Sequence, residues 1–296
     1  VRLTARRRIL PIAVAITAAI GGAAPSHAAV TSVTLTARHE VRPLLPGVKA
    51  EMWTFNRRVP GPVVRVPLGN ELRITLRNAD PHHRHSLDFH ASEVNPMRVM
   101  ADVKPGQTKT FSFTPKRAGV FMYHCGTPSV LRHVGMGMYG MIIVDPPERR
   151  SPAREIMLVQ SEFYGAVRKG VLRPTVKSML GRAPTFTAFN GSPFRYVRKP
   201  IKVRVGELVR IYLVDAGPSL GSAFHVVGEI FDTVLPDGGT APYGSSVSTG
   251  YVPAGGAAIF ELRFDEAGTY PFLTHELGVA SLGAVGQIVA EAGPPA

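Results

Sequence analysis

The chain has 296 residues, 45% of them apolar, and a formal net charge of +13. That length accommodates two domains with sizeable cores, and 30 Gly and 26 Pro beside only 19% charged residues exclude a protein of long helices. A single cysteine excludes an intrachain disulfide, and the basic residues form no block interleaved with aromatics, which argues against a nucleic-acid-binding face and for a surface that attracts small anions or acidic proteins.

Residues 1–28 read as a cleaved export signal. VRLTARRRIL carries four arginines and no acid, PIAVAITAAIGGAA is an apolar run too short to span a bilayer, and Ser26 and Ala28 are small residues placed for a signal peptidase. The stretch Ala5–Leu10 also resembles a twin-arginine signal. The expectation is an exported, periplasmic or extracytoplasmic protein without a membrane anchor.

From residue 29 the chain is written twice. FNRRVPGPVVRVPLGNELRITLRNAD (55–80) is matched by FNGSPFRYVRKPIKVRVGELVRIYLVDAG (189–217), and VKPGQTKTFSFTPKRAGVFMYHC (103–125) by VPAGGAAIFELRFDEAGTYPFLTH (252–275). The copies close on YGMIIVDPP and VGQIVAEAGPP. Runs such as LRITLRN, KTFSFTP, KVRVGE and IFELRFD are alternating or β-branched and bounded by Gly, Pro and Asp, so they predict strands. The pattern predicts an all-β protein of two tandem Greek-key β-sandwiches, residues 29–146 and 155–296, joined by a Pro- and Arg-rich linker over 147–154.

The only thiol, Cys125, lies in FMYHCGTPSVLRHVGMGM (121–138). A thiolate, two imidazoles and a weak axial thioether form the ligand set of blue-copper electron-transfer sites, because soft sulfur suits Cu(I) while imidazole accepts Cu(II). Cys125, His133 and Met138 lie on a strand end and the loop after it, and His85 in HSLDFH supplies the second imidazole. Met136 competes for the axial place, but Met138 adjoins the next strand. Neighbouring strand residues face opposite sides, so His124 points away from the Cys125 site, as does His90 relative to His85. The repeat sets Thr274 opposite Cys125: the second copy lacks the thiolate, yet His275 projects as His124 does. A domain-2 imidazole of another subunit would therefore meet His90 and His124, and three imidazoles with an open position make a catalytic metal site.

Taken together, HSLDFH, YHCGTPSVLRHVGMGM and GTYPFLTHELG resemble the two-domain copper nitrite reductases over nearly the whole chain after residue 28. The resemblance implies cupredoxin-like domains, type 1 copper on His85, Cys125, His133 and Met138, and type 2 copper on His90 and His124 with His275 of a neighbouring subunit in a homotrimer. It also implies a proton-handling pair, Asp88 and His225, the latter in FHVVGEIFDTV. Two coppers per subunit would reduce nitrite to nitric oxide, with the electron delivered by a small cupredoxin or cytochrome c and passed along Cys125–His124. An electron carrier using only the first copper and a two-domain multicopper oxidase using oxygen are the alternatives. His83-Arg84-His85 is the one His-x-His pattern, too few for a trinuclear oxidase cluster, and His39, His82 and His83 are left without a role. Arg132 stands where many members of the family carry an aromatic residue before the second type 1 histidine.

Overall fold

The computed structural model describes residues 29–293, so the export signal expected over 1–28 lies outside the described residues. The first half contains β1 (Val30–Leu45), β2 (Val48–Phe55), β3 (Val64–Pro67), β4 (Glu71–Asn78), β5 (Asp88–Phe89), α1 (Pro96–Val99), β6 (Thr108–Phe113), β7 (Gly119–His124), α2 (Val130–Gly135) and β8 (Tyr139–Asp145). The second half continues with β9 (Arg154–Phe163), β10 (Ala166–Arg168), β11 (Val171–Arg173), α3 (Val176–Leu180), β12 (Phe186–Phe189), α4 (Arg195–Arg198), β13 (Lys199–Arg204) and β14 (Val209–Asp215). It closes with β15 (Ser222–Val226), β16 (Thr233–Pro236), β17 (Thr249–Val252), β18 (Ala257–Leu262), β19 (Gly268–Thr274), α5 (Leu277–Ala280) and β20 (Val285–Glu291).

Sheet order makes the internal repeat physical. The first half stacks a sheet containing β2-β1-β4-β6 on β3-β8-β7-β5, and the second stacks β12-β9-β14-β18-β16 on β13-β20-β19-β15-β17. Equivalent pairs even share their sense: β1 runs parallel to β4 as β9 does to β14, and β3 parallel to β8 as β13 does to β20. The alternation in β4 explains the core. Leu72, Ile74 and Leu76 are fully buried while Arg73 and Arg77 face water. One arrangement is not visible in the repeat: the hairpin β10–β11 of the second half adds to the sheet of the first, β11 pairing with β2.

Strand β7 decides where the chemistry sits. Phe121, Tyr123 and Cys125 point into the first sandwich core, whereas Val120 and Met122 point the other way, into an apolar layer shared with the second half. That layer joins Tyr139, Met141 and Ile143 of β8 to Val159, Tyr212, Val214 and Ile259. With both faces of β7 buried, its sequence is almost continuously apolar rather than alternating. Beside this layer, Arg65 donates to both oxygens of Asp145 at 2.8 Å and to Glu155 at 2.6 Å. The three side chains tie the end of β8 to the start of β9 and hold the Arg65 pKa well above its ordinary value, chiefly through the hydrogen bonds to Asp145 and Glu155.

Candidate metal centres

Cys125 follows β7 with its backbone N–H bonded to Met138 O at 3.0 Å, and Met138 N–H in turn bonds His133 O at 3.1 Å. The expected loop between Cys125 and Met138 contains the short helix α2, which carries His133 inward. Helix geometry sets His133 and Met136 close along the same wall, and Met136 and Met138 both lie in the core cluster that includes Cys125. His85 comes from the other side, held by an isolated bridge to Val103.

The donor atoms of three of these residues converge. Cys125 Sγ lies 3.1 Å from His133 Nδ1 and 3.9 Å from His85 Nδ1, and the two nitrogens are 3.3 Å apart. The centre of the circle through these atoms is about 2.0 Å from each, the length of a metal–imidazole bond. Cys125 and His85 are fully buried and His133 nearly so. Burial pushes the Cys125 thiol up, against the backbone N–H groups of Ser86, which donates to Sγ at 3.4 Å, and Thr127. Burial, reinforced by the neighbouring His85 ring, drives His133 down to about 4, and burial also lowers His85 against the opposing pull of Asp80. The pocket thus presents neutral imidazoles and a thiol whose ionised form needs a cation beside it. A soft, thiophilic metal satisfies that requirement, and the donor set suits copper.

Three partners of this pocket have no counterpart in the sequence reading. Buried Asp80 accepts from His85 Nε2 at 3.0 Å and so turns Nδ1 toward the sulfur. Burial alone would raise the Asp80 pKa, but the backbone N–H of His82 and the hydrogen bond from His85 bring it below the ordinary value. Trp53 of β2 packs its ring 4.7 Å from His133 and 5.5 Å from His85, and the Arg132 guanidinium lies 4.8 Å above it. Trp53 thus lays an aromatic ring from β2 against both imidazoles, with Arg132 of α2 above it. The backbone N–H of Ser86 is the third. Only Asp80 left a signal, as a carboxylate five residues before a histidine in a Pro-containing turn.

On the outer face, His90 Nε2 and His124 Nε2 stand 3.1 Å apart, and Asp88 Oδ2 lies 3.7 Å from His124 Nε2. The His124 Nδ1–H donates to Cys125 O at 2.9 Å, which leaves Nε2 a bare lone pair aimed at its neighbour. Protein packed around the inner part of the His90 ring, and then the His124 imidazole, lower its pKa, while Asp88 and the Gly255 carbonyl act the other way. Two imidazole nitrogens facing each other at this distance can share a proton or converge on one cation. His275, at the end of β19, is exposed and is not brought to His90 and His124 within the chain. It lies instead beside His225 of β15, ring centroids 5.7 Å apart, and His225 Nδ1–H donates to Ser248 O at 2.6 Å.

The multicopper oxidase family profile matches residues 36–149. Over 270 residues the chain is 30% identical to the copper-containing nitrite reductase of Alcaligenes xylosoxydans xylosoxydans, an alignment spanning 83% of this chain and 81% of that protein. The chain belongs to the copper-containing nitrite reductase family. The family member from Neisseria meningitidis serogroup A is 37% identical over 254 residues, 83% of this chain, which spans only 65% of that longer protein. The structure of the copper nitrite reductase from Nitrosomonas europaea superposes with a TM-score of 0.83 at 33% identity, covering 88% of this chain and 94% of that one. Membership agrees with the cupredoxin sandwiches and the copper-suited donor sets described above.

Proposed function

We propose that the protein is an exported, homotrimeric enzyme that reduces nitrite to nitric oxide, taking up one electron and two protons and releasing water. In this reading residues 29–146 and 155–296 are the two domains, linked by 147–154. His85, Cys125 and His133, with Met138 as axial thioether, hold type 1 copper. His90 and His124 hold type 2 copper with His275 of the next subunit. The observation that carries the reading is the covalent adjacency of Cys125 and His124: one peptide unit joins a buried sulfur-containing donor set to an exposed, incomplete all-imidazole one.

Two copper ions per subunit supply a relay for the electron, delivered by a small cupredoxin or cytochrome c, and an electrophile for the oxygens of nitrite. The protein's own residues do the rest. Asp88 sets a carboxylate beside the open side of the His90–His124 pair and can hold and donate a proton there. His225, its Nδ1–H engaged by the Ser248 carbonyl, keeps Nε2 for the second proton and travels with His275, so that the trimer would bring one proton donor from each of two subunits. The exposure of His275 in the single chain supports an assembly in which a neighbour covers it.

Electron paramagnetic resonance of the copper-loaded trimer tests the reading. Two Cu(II) signals are expected, with nitrite shifting only the one lacking thiolate character. A single thiolate-copper signal indifferent to nitrite would leave an electron carrier in place of the enzyme.

A further inference from the structure

Beside the thiolate centre, two histidines that the proposed reaction does not use share one corner of the first sandwich with Asp80, the carboxylate behind His85. His39 of β1, Asp80 after β4 and His83 place donor atoms within 4.8 Å of one another. His83 Nδ1 lies 3.1 Å from Asp80 Oδ2. His39 Nε2 lies 3.0 Å from Glu51 Oε1, and the other Glu51 oxygen accepts from Arg173 at 3.2 Å, so Glu51 restrains this ring. The Trp53 ring packs against His83 at 4.3 Å between centroids, tilted by 39°, and restrains the second ring. The histidine side chains are 27% and 28% exposed, whereas Asp80 is fully buried. The corner is therefore an anchored carboxylate roofed by two imidazoles that solvent can reach.

We propose that His39, Asp80 and His83 form a third metal site, which takes a borderline divalent ion such as Zn²⁺ or Cu²⁺ from solution. Imidazole suits Zn and Cu, two imidazoles with one carboxylate leave a fourth position for water, and no sulfur is within the set. Binding replaces the His83–Asp80 hydrogen bond by two metal bonds, and the ring proton of His83 moves from Nδ1 to Nε2. The ion would sit one carboxylate away from the thiolate centre, because Asp80 Oδ2 also accepts from His85 Nε2 at 3.0 Å. That shared oxygen gives the outer ion a direct route to the basicity of a type 1 ligand.

Zinc uptake by the copper-loaded protein decides the matter, and no part of the test uses nitrite, so it stands apart from the reaction proposed above. The wild-type protein is expected to retain one zinc per chain after gel filtration with its copper content unchanged, and the double variant His39→Ala/His83→Ala to retain none. His82→Ala is expected to bind zinc as wild type does. Equal retention by the wild type and the double variant, or none by either, would overturn the proposal. Should the double variant fold poorly, zinc-edge X-ray absorption of the wild type decides alone. A nitrogen/oxygen shell with two imidazoles is the expected result, and a sulfur scatterer or three imidazoles would place the zinc in one of the other centres and overturn it.

Discussion

The two halves of the molecule build the same hole and fill it differently. In the first, Cys125 Sγ accepts from the Ser86 backbone N–H at 3.4 Å, and the N–H of Thr127 also points to it. In the second, Thr274 Oγ1 accepts from the Ala223 N–H at 3.1 Å and from the Glu276 N–H at 3.4 Å. The donors come from equivalent places, the neighbouring strand segment and the residue two positions on. The sandwich therefore offers two N–H groups to whatever polar atom ends β7 or β19, and hydrogen-bonding geometry alone does not specify a metal. The difference lies around the hole. Where the first half has His85 backed by Asp80, the second has Ser222, whose hydroxyl donates to Gln160, so its polar groups satisfy one another and leave no converging lone pairs.

The largest effect should come from giving the first half the residue of the second. Cys125→Thr is expected to fold, since Thr274 occupies the equivalent setting, and to lose all thiolate–copper absorption and all nitrite reduction. Visible spectra and circular dichroism check both parts, and a variant that unfolds would show that the holes are not interchangeable. Next comes the layer the halves share: Ile143→Ala removes a buried side chain from it and should cost about 2–5 kcal/mol in urea unfolding. If the halves depend on this layer they melt together in the wild type, and a first separate transition appears in the variant.

Smaller effects sharpen the contrast around each hole. Asp88→Asn should lower the turnover number about 10²-fold with copper content unchanged, as expected on loss of the proposed proton donor; steady-state nitric oxide formation measures it. Asp80→Asn should weaken copper retention at the thiolate centre roughly 10–100-fold, read by chelator competition, whereas no comparable change is expected from altering Gly217, which holds the corresponding place in the second half. The smallest concerns Asp215, which takes the place of Asn78. Burial raises its pKa well above the ordinary value. The native state therefore keeps its proton to higher pH than the unfolded chain, whose aspartate titrates near about 4, so this group's stabilising contribution is full below that pH and is lost as pH rises through the native pKa. Asp215→Asn should accordingly gain stability relative to wild type between pH 5 and pH 8, measured as the difference in urea midpoints.

Much of this was open to reading along the chain. The 3.4-Å contact of Ser86 with Cys125 and the fully buried Thr274 were not, but the opposite orientation of Cys125 and His124 was, because successive strand side chains must alternate and β7 is a regular strand. Trp53 gives no signal in the sequence because it lies on β2, more than thirty residues before His85, and only sheet packing brings its ring to both imidazoles. Helix α2 leaves no mark in the sequence because six residues are too few for a periodic signal.

By itself the sequence determined the strands, the duplication and the residue types on offer as donors, since these depend on local alternation and residue chemistry. Tertiary structure alone decided which donors meet. It turned His85 with Asp80, folded His133 inward, laid β10–β11 against the other half's sheet, and gathered His39, Asp80 and His83 at one corner. The physical reason is that these contacts join segments far apart in the chain, and their distances depend on how two sheets twist and pack rather than on any spacing in the sequence.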